Sequence, residues 1–225
     1  MKKVNFDDYA DDYDNILKEQ LSFFSEDDKY FAQYKVRLVH KYSSTSPKKI
    51  LEFGCGTGRN LAYFKEMFPS AQIYGADISD KSIAVAKEQN PFAICHCLDD
   101  DFMSSSQNFD LIFIAGVFHH IAPPERIGVL DSIKSLLSER GALFIFEHNP
   151  YNPITQKMVR ECPFDSDASL VSMSKMTGLL QKSGFKSNLR KYTLFVPPTF
   201  PRLVKFENFL GWLPLGGQYF IKASK

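Results

Sequence analysis

From residue 49 to residue 147, short apolar runs alternate with segments whose apolar residues recur at helical spacing. The apolar runs predict five strands, at residues 49–53, 72–77, 92–97, 109–115 and 141–147. The intervening segments predict three helices, at residues 59–68, 79–90 and 124–138. Alternation of this kind predicts an α/β domain in which helices cover both faces of a parallel sheet. Ligands of such sheets bind at the carboxyl ends of the strands.

The pattern is less regular on both sides of this central region. The flanking predicted elements are helices 7–24, 27–42 and 174–183 and strands 186–195 and 218–223. The first two helices are rich in aromatic residues and are expected to pack over the ligand side of the sheet. We therefore expect an N-terminal helical cap at residues 1–44 and one main domain at residues 45–225. The proline-rich residues 197–215 interrupt the last two strands and are a candidate substrate-binding surface.

The junction of the first predicted strand and helix carries one acidic residue and three glycines, Glu52, Gly54, Gly56 and Gly58. Glycine permits turn conformations that are closed to other residues and lets the backbone approach a ligand without a Cβ in the way. A dinucleotide site requires a glycine at position 59, where this chain has arginine. With its different spacing, the stretch at residues 50–60 resembles motif I of the class I S-adenosylmethionine (SAM) methyltransferases.

This resemblance implies a fold, a cofactor and a reaction. The implied fold is a Rossmann-like, seven-stranded, mostly parallel sheet with helices on both faces and an antiparallel C-terminal hairpin. Residues 197–215 would then be inserted between the last two strands. The implied cofactor is SAM, with S-adenosylhomocysteine as its product. Within the superfamily, the sequence is most similar to the small-molecule O-methyltransferase branch.

Two further acidic residues are candidates for cofactor binding. Asp77 ends the second predicted strand, where a carboxylate can accept hydrogen bonds from both ribose hydroxyls, although an acid here can also cap the next helix. Its neighbour Ile78 is expected to lie against the adenine. In the methyltransferases that this chain resembles, an acid shortly before the fourth strand accepts a hydrogen bond from the adenine amino group, and that register selects Asp100.

The fourth predicted strand leads into a pair of histidines. Residues 109–121 resemble the fourth-strand motif of the same family, which implies that the backbone at Ala115 meets the methionine part of SAM. An oxygen acceptor must lose a proton, and histidine is suited to take it near neutral pH. We predict His120 as the catalytic base, followed by His119 and then by His148 beyond the fifth strand. A structural role for these histidines is the alternative.

Composition indicates a globular protein of ordinary charge. The 225 residues are 44% hydrophobic and 24% charged, with a net charge of +1. Apolar runs fall far short of the roughly 20 residues of a membrane-spanning helix. The first residues lack the apolar stretch of a secretory signal, so we expect a cytoplasmic location.

Charge is unevenly distributed along the chain. Residues 1–30 hold four lysines and nine acidic residues, whereas residues 182–225 hold eight basic residues and one acid. The basic end also contains many aromatic residues. This mixture suits an acidic, amphipathic or lipid-linked substrate, a peripheral membrane contact or RNA, and the alternative is a solvated basic face over buried aromatics. RNA is disfavoured because the basic residues are confined mainly to one end.

The four cysteines are not spaced as a metal site or a disulfide framework. Cys95 and Cys97 flank His96 on a predicted strand without a second pair of ligands nearby. We expect no metal site. Asn149-Pro150-Tyr151 follows the fifth strand, not the fourth strand where base-flipping methyltransferases carry a similar motif, so DNA is not expected as a substrate.

These features favour methyl transfer from SAM to a hydroxyl or carboxyl oxygen of a small-molecule metabolite or lipid-linked compound. Two alternatives remain open. One is an RNA or protein methyltransferase, and the other is a non-catalytic regulatory protein that binds SAM or S-adenosylhomocysteine. The sequence does not determine the acceptor or the oligomeric state.

Overall fold

The computed structural model describes residues 4–9, 16, 29–44, 46–105 and 107–225. Its strands are β1 (Lys49–Phe53), β2 (Gln72–Asp77), β3 (Ile94–Cys97), β4 (Phe109–Ala115), β5 (Leu137–His148), β6 (Lys186–Thr193) and β7 (Gln218–Ser224). They form one sheet in the order β3-β2-β1-β4-β5-β7-β6. The first five strands are parallel, and β7 is antiparallel to both β5 and β6. The predicted seven-stranded α/β fold is confirmed.

The helices lie mainly between the strands. They are α1 (Tyr30–Tyr42), α2 (Leu61–Met67), α3 (Asp80–Gln89), α4 (Asp100–Ser104), α5 (Arg126–Leu136), α6 (Pro153–Glu161), α7 (Met173–Lys182), α8 (Pro201–Val204) and α9 (Glu207–Leu210). Short 3-10 turns occupy Phe6–Asp8, Phe118–His120 and Pro163–Asp165. The local sequence determines where several of these helices begin. The side chain of Ser79 accepts a hydrogen bond from the Ser82 amide and caps α3, for example.

The core consists of one apolar layer on each face of the sheet. In β4, Ile112 and Ile114 face the layer that contains Leu130 of α5, whereas Phe113 faces the layer that contains Phe64 of α2. Because both faces are covered, the strand is apolar throughout residues 111–115. Val36 of α1 lies in the second layer, so the described part of the predicted cap shares the core of the main domain.

The structure differs from the predicted elements at several places. Helices α4, α6, α8 and α9 lie where no helix was predicted. The first of them is short, and α6 begins at a proline that follows the capping side chain of Asn152, a start signal that the prediction overlooked. Strand β5 begins at Leu137 and not at residue 141. Leu137 already pairs with Phe109 of β4, ahead of an irregularity in the pairing of the two strands.

The predicted N-terminal helices fall only partly within the described residues. Residues 7–8 form a 3-10 turn and not the start of the predicted helix 7–24, most of which lies outside the described residues. The second predicted helix, 27–42, is observed as α1 from Tyr30 onward. The proposed boundary between a cap and a main domain stays a prediction.

Candidate active site

A cavity of about 440 Å³ lies at the carboxyl ends of the central strands. Six residues predicted to bind the cofactor line it: Glu52, Gly54, Gly56, Asp77, Ile78 and Ala115. The three predicted catalytic histidines, His119, His120 and His148, line it as well. Gly58 and Asp100 are not among its lining residues. The fold therefore brings together most of the residues that the sequence singled out.

The glycine loop adopts the backbone conformation for which glycine is required. Gly54, Gly56 and Gly58 have φ values of +74°, +51° and +83°. A Cβ on Gly54 would lie 2.4 Å from Val117 Cγ2, whereas one on Gly56 would meet no described atom within 4 Å. Gly58 instead packs against α3, where a Cβ would lie 2.7 Å from Asn90 Nδ2. Gly56 thus faces the cavity, and Gly58 shapes the loop from behind.

Glu52 places a buried carboxyl group at the wall of the cavity. Asn60 donates a hydrogen bond to Oε1, while Oε2 has no hydrogen-bond partner among the described residues. Burial raises the pKa of Glu52 to about 8, and the Asn60 hydrogen bond and nearby Lys35 limit the increase. Burial also lowers the pKa of Lys35 to about 8. Oε2 is therefore available to a ligand in the cavity.

Asp77 connects the glycine loop to the start of α3. Its carboxylate accepts hydrogen bonds from the Gly56 amide at 2.8 Å and from the Ser79 amide at 3.0 Å. Burial raises the pKa of Asp77, and these two amides oppose that increase. Each carboxylate oxygen can accept more than one hydrogen bond. Ile78, which follows it, is 56% exposed and provides an apolar surface at the cavity.

Asp100 lies outside the cavity wall. It is exposed and is the first residue of α4, whose start is capped by Asp99 through a 2.7 Å hydrogen bond from the Phe102 amide. Leu98 and Met103 line the cavity in this region. The sequence analysis did not select these two apolar residues, because a single apolar side chain on either side of an acidic run carries no distinctive signal.

The first histidine lies between two carboxylates. His119 Nδ1 donates to Glu147 Oε2 at 2.7 Å, and its Nε2 lies 3.4 Å from Asp165 Oδ1. Glu147 Oε1 accepts from the Val117 and Phe118 amides at 3.0 and 2.7 Å. Burial alone lowers the pKa of His119, but the two carboxylates outweigh burial and raise this pKa to about 10. His119 is therefore an imidazolium at neutral pH.

The second histidine shares one of these carboxylates. His120 Nδ1 donates to Asp167 Oδ1 at 3.0 Å, and its Nε2 lies 3.3 Å from Asp165 Oδ1. Both aspartates line the cavity. Sequence analysis missed them because they follow a proline in an irregular loop. Two aspartates that are two residues apart are not a distinctive pattern. The folding of this loop onto β4 and β5 creates the cluster.

The third predicted histidine, His148, packs against His119, with ring centroids 5.1 Å apart and ring planes tilted by 55°. Burial, together with the positive charge of His119, lowers the pKa of His148 to about 4. It is therefore neutral at physiological pH and a weak base.

Residues 4–8 cover part of the cavity. Phe6 lines it and contacts His120 edge to face, with ring centroids 5.0 Å apart. The Val4 amide donates to Asp167 Oδ2 at 2.9 Å, and Asp7 accepts from the Ser79 hydroxyl at 2.6 Å. This segment therefore bridges the glycine-loop end of the cavity and the histidine end.

Comparison with known proteins agrees with this geometry. Residues 51–143 match the family described as "Methyltransferase domain". Residues 51–143 therefore carry a methyltransferase domain. Carboxy-S-adenosyl-L-methionine synthase 1 of Yersinia pseudotuberculosis is 30% identical to it over 121 residues, which are 49% of this chain and 50% of that protein. Malonyl-[acyl-carrier protein] O-methyltransferase of Bacillus cereus is 28% identical over 67% of this chain and 52% of that protein.

Solved structures show the same fold for this methyltransferase domain. A SAM-dependent methyltransferase from Archaeoglobus fulgidus has a TM-score of 0.70 at 17% identity, over 95% of this chain and all of that one. The chain spans about half the length of the first curated relatives that it matches. No helix among the described residues is long and apolar enough to cross a membrane.

The residues of the methyltransferase cavity fit the SAM that the family implies. Three features offer separate contacts for polar and apolar parts of one ligand: the Cβ-free surface at Gly56, the apolar side chain of Ile78, and the buried Oε2 of Glu52, which has no hydrogen-bond partner in the described part of the chain. These features are suited to a compact ligand that carries both a charged group and an aromatic ring.

Proposed function

We propose that the chain transfers the methyl group of SAM to a hydroxyl or carboxyl oxygen of a small-molecule acceptor. The observation that carries this proposal is that one continuous cavity joins the glycine loop to a cluster of histidines and aspartates. The first end suits the cofactor, and the second can orient an oxygen acceptor and remove its proton. Similar proteins include one named an O-methyltransferase and one named demethylmenaquinone methyltransferase.

Cofactor binding is assigned to the glycine loop and its acidic neighbours. Asp77 would hold the ribose hydroxyls while retaining its amide contacts, and Glu52 Oε2 would accept from the charged amino group. Ile78 would lie against the adenine, with Asp100 at its outer edge, and the backbone at Ala115 would meet the methionine part. Bound SAM supplies a methyl group that is activated by its sulfonium, so the main task of the protein is to place the acceptor oxygen in line.

His120 is the proposed general base. His119 already carries a proton between Glu147 and Asp165, so it cannot accept another one. His148 binds a proton too weakly to deprotonate a hydroxyl. His120 lines the cavity, Asp167 fixes its ring through Nδ1, and a proton taken up at Nε2 would face Asp165 Oδ1 at 3.3 Å. A carboxylate acceptor is already ionised and does not require this base.

Calorimetric titration with SAM, S-adenosylhomocysteine and NAD tests the cofactor assignment. We expect binding of both adenosyl ligands and none of NAD. Methyl transfer from labelled SAM to hydroxyl and carboxylate compounds then tests the acceptor class. NAD binding alone would overturn the cofactor assignment, and SAM binding with transfer only to RNA or protein would overturn the acceptor class.

The His120→Gln variant tests the base. For a hydroxyl acceptor we expect kcat to fall about 10²- to 10⁴-fold, with little change in SAM affinity. The matched control is His96→Gln, because His96 is exposed on β3 and does not line the cavity. Unchanged kcat in His120→Gln with a hydroxyl acceptor would refute the assignment.

A further inference from the structure

The segment between β6 and β7 exposes an unusual number of large apolar side chains. Phe200, Leu203, Phe206, Phe209, Trp212 and Leu215 are each more than half exposed. Tyr151 and Ile154, at the start of α6, are 60% and 57% exposed. We call these eight side chains the insert surface. Globular proteins rarely expose contiguous apolar groups of this size unless the surface binds something.

The insert surface is part of a well-anchored structure. Glu207 of α9 is buried and accepts hydrogen bonds from the Phe195 amide at 2.7 Å, the Val196 amide at 2.9 Å and the Tyr34 hydroxyl at 2.8 Å. On the other side, the Asn152 side chain donates to the Leu215 carbonyl at 2.7 Å. This contact joins the segment to the start of α6. The exposed apolar groups therefore belong to a folded segment that is held at both ends.

The aromatic residues of the basic C-terminal region divide into two sets. Tyr192, Tyr219 and Phe220 are buried, as a solvated basic face over an aromatic core would require. Phe209 and Trp212 are 75% and 76% exposed, which that interpretation does not explain. An exposed tryptophan among phenylalanines, leucines and basic residues is typical of segments that enter the interface of a lipid bilayer.

Charge identifies the partner more closely. Within residues 197–215 the basic residues are Arg202 and Lys205, both exposed, and the sole acid is Glu207. Because Glu207 is buried and hydrogen-bonded, the segment presents positive charge and apolar groups together. That combination complements an anionic lipid surface, which attracts lysine and arginine and accepts apolar side chains beneath its headgroups.

The insert surface also borders the cavity through α6. Ile154 belongs to the insert surface, and Met158 lines the cavity. Residues four apart lie on the same face of a helix, so one face of α6 leads from the exposed surface to the cavity wall. An acceptor that is held in a bilayer would therefore meet the cavity from this side.

We propose that the insert surface binds the anionic face of a lipid bilayer and presents the cavity to an acceptor embedded in it. Only the second part rests on the proposed methyl transfer. Membrane binding can be measured without SAM or an acceptor, so failure of one proposal is distinguishable from failure of the other.

The single tryptophan of the sequence makes the test direct, because Trp212 lies on the insert surface and is the only indole reporter. The full chain is mixed with vesicles of phosphatidylcholine alone or of phosphatidylcholine with phosphatidylglycerol. We expect a blue shift of tryptophan emission and co-sedimentation with the anionic vesicles, with at least about 10-fold weaker binding to the neutral ones. Absence of binding, or equal binding to both vesicles, would overturn the proposal.

Substitutions on the insert surface test whether vesicle binding takes place there. The double variant Phe206→Ser/Phe209→Ser should weaken vesicle binding at least about 10-fold, because each phenylalanine loses apolar burial in the lipid. Arg202→Gln and Lys205→Gln should each weaken it about 5-fold, and added salt should reduce that difference.

The matched control is Phe92→Ser, because Phe92 is 42% exposed and lies just before β3, at the opposite edge of the sheet. Circular dichroism checks that each variant is folded. Equal loss in the control would count against the proposal. So would a dimer that forms without lipid, detected by sedimentation velocity, if its formation alone shifts the emission of Trp212 to the blue.

Discussion

Replacement of Glu147 by glutamine tests whether the buried charge pair with His119 stabilises the fold. Both side chains are at most 2% exposed, and the carboxylate accepts from Nδ1 at 2.7 Å and from two backbone amides. Glutamine preserves the shape and one acceptor oxygen but removes the charge. Loss of one partner of a buried ion pair costs about 3 to 5 kcal/mol. We therefore expect the free energy of unfolding of Glu147→Gln to be lower by about 3 kcal/mol near pH 6.

The pH dependence of this difference follows from the raised pKa of His119. Its ordinary value is 6.5, and the folded protein raises it to about 10. Below pH 6.5 both the folded and the unfolded chain hold the proton, so the stabilisation is fully present. Above pH 6.5 the unfolded chain releases the proton while the folded chain keeps it, and the stabilisation is lost progressively up to about pH 10. The difference between wild type and variant should shrink over the same range.

Urea unfolding, followed by far-UV circular dichroism between pH 6 and pH 10, measures this difference. Comparison with the variant largely cancels the contributions of Lys35 and Glu52, which also titrate in this range, because Glu147 is the weakest of the charges that act on the pKa of Lys35. Glu88→Gln is the control, because Glu88 is exposed on α3 and far in sequence from the cluster. A Glu147→Gln variant as stable as the control at pH 6, or a difference that is constant up to pH 10, would refute the charge pair.

Two further predictions concern cofactor binding. Asp77→Asn should weaken SAM binding by about 1 to 3 kcal/mol in calorimetry, because an amide is a poorer partner for two hydroxyls, whereas Asp100→Asn should have a smaller effect because Asp100 is exposed. Equal losses would contradict the different placement of the two acids. Gly56→Ala should abolish SAM binding because it places a methyl group in the cavity at φ +51°, whereas Gly128→Ala, in the first turn of α5, should leave it unchanged. Retained affinity in Gly56→Ala would show that the loop does not meet the ligand.

The strands of the sheet could be predicted well from the sequence because their surroundings are simple. Residues 72–77 and 109–115 were predicted with the observed bounds, since both faces of each strand are largely covered and its residues are largely apolar. Strand β5 was predicted five residues too short, four at its start and one at its end. After Leu137, residues 138–140 are polar and lie at an irregularity in the pairing with β4, and a contact between strands leaves no trace in local periodicity.

The cofactor side of the site was also accessible from the sequence, because one continuous segment supplies most of it. Glu52, Gly54 and Gly56 lie in one strand and the turn after it, where the chemistry depends on local spacing. Only part of the acceptor side could be predicted from the sequence. His119 and His120 stood out as a pair, but Asp165 comes from a loop more than 40 residues away, and its contact with them depends on the whole sheet.

The N-terminal segment and the insert surface lead to one consequence for acceptor entry. Phe6 and Val4 pack on His120 and Asp167, so residues 4–8 cover the histidine end of the cavity on the side of α3. Helix α6 forms another wall, where Met158 lines the cavity. The apolar surface that continues from this wall outward is the insert surface. An apolar or lipid-linked acceptor that enters there would reach His120 without crossing the covered side, whereas a purely polar acceptor would gain nothing from that route.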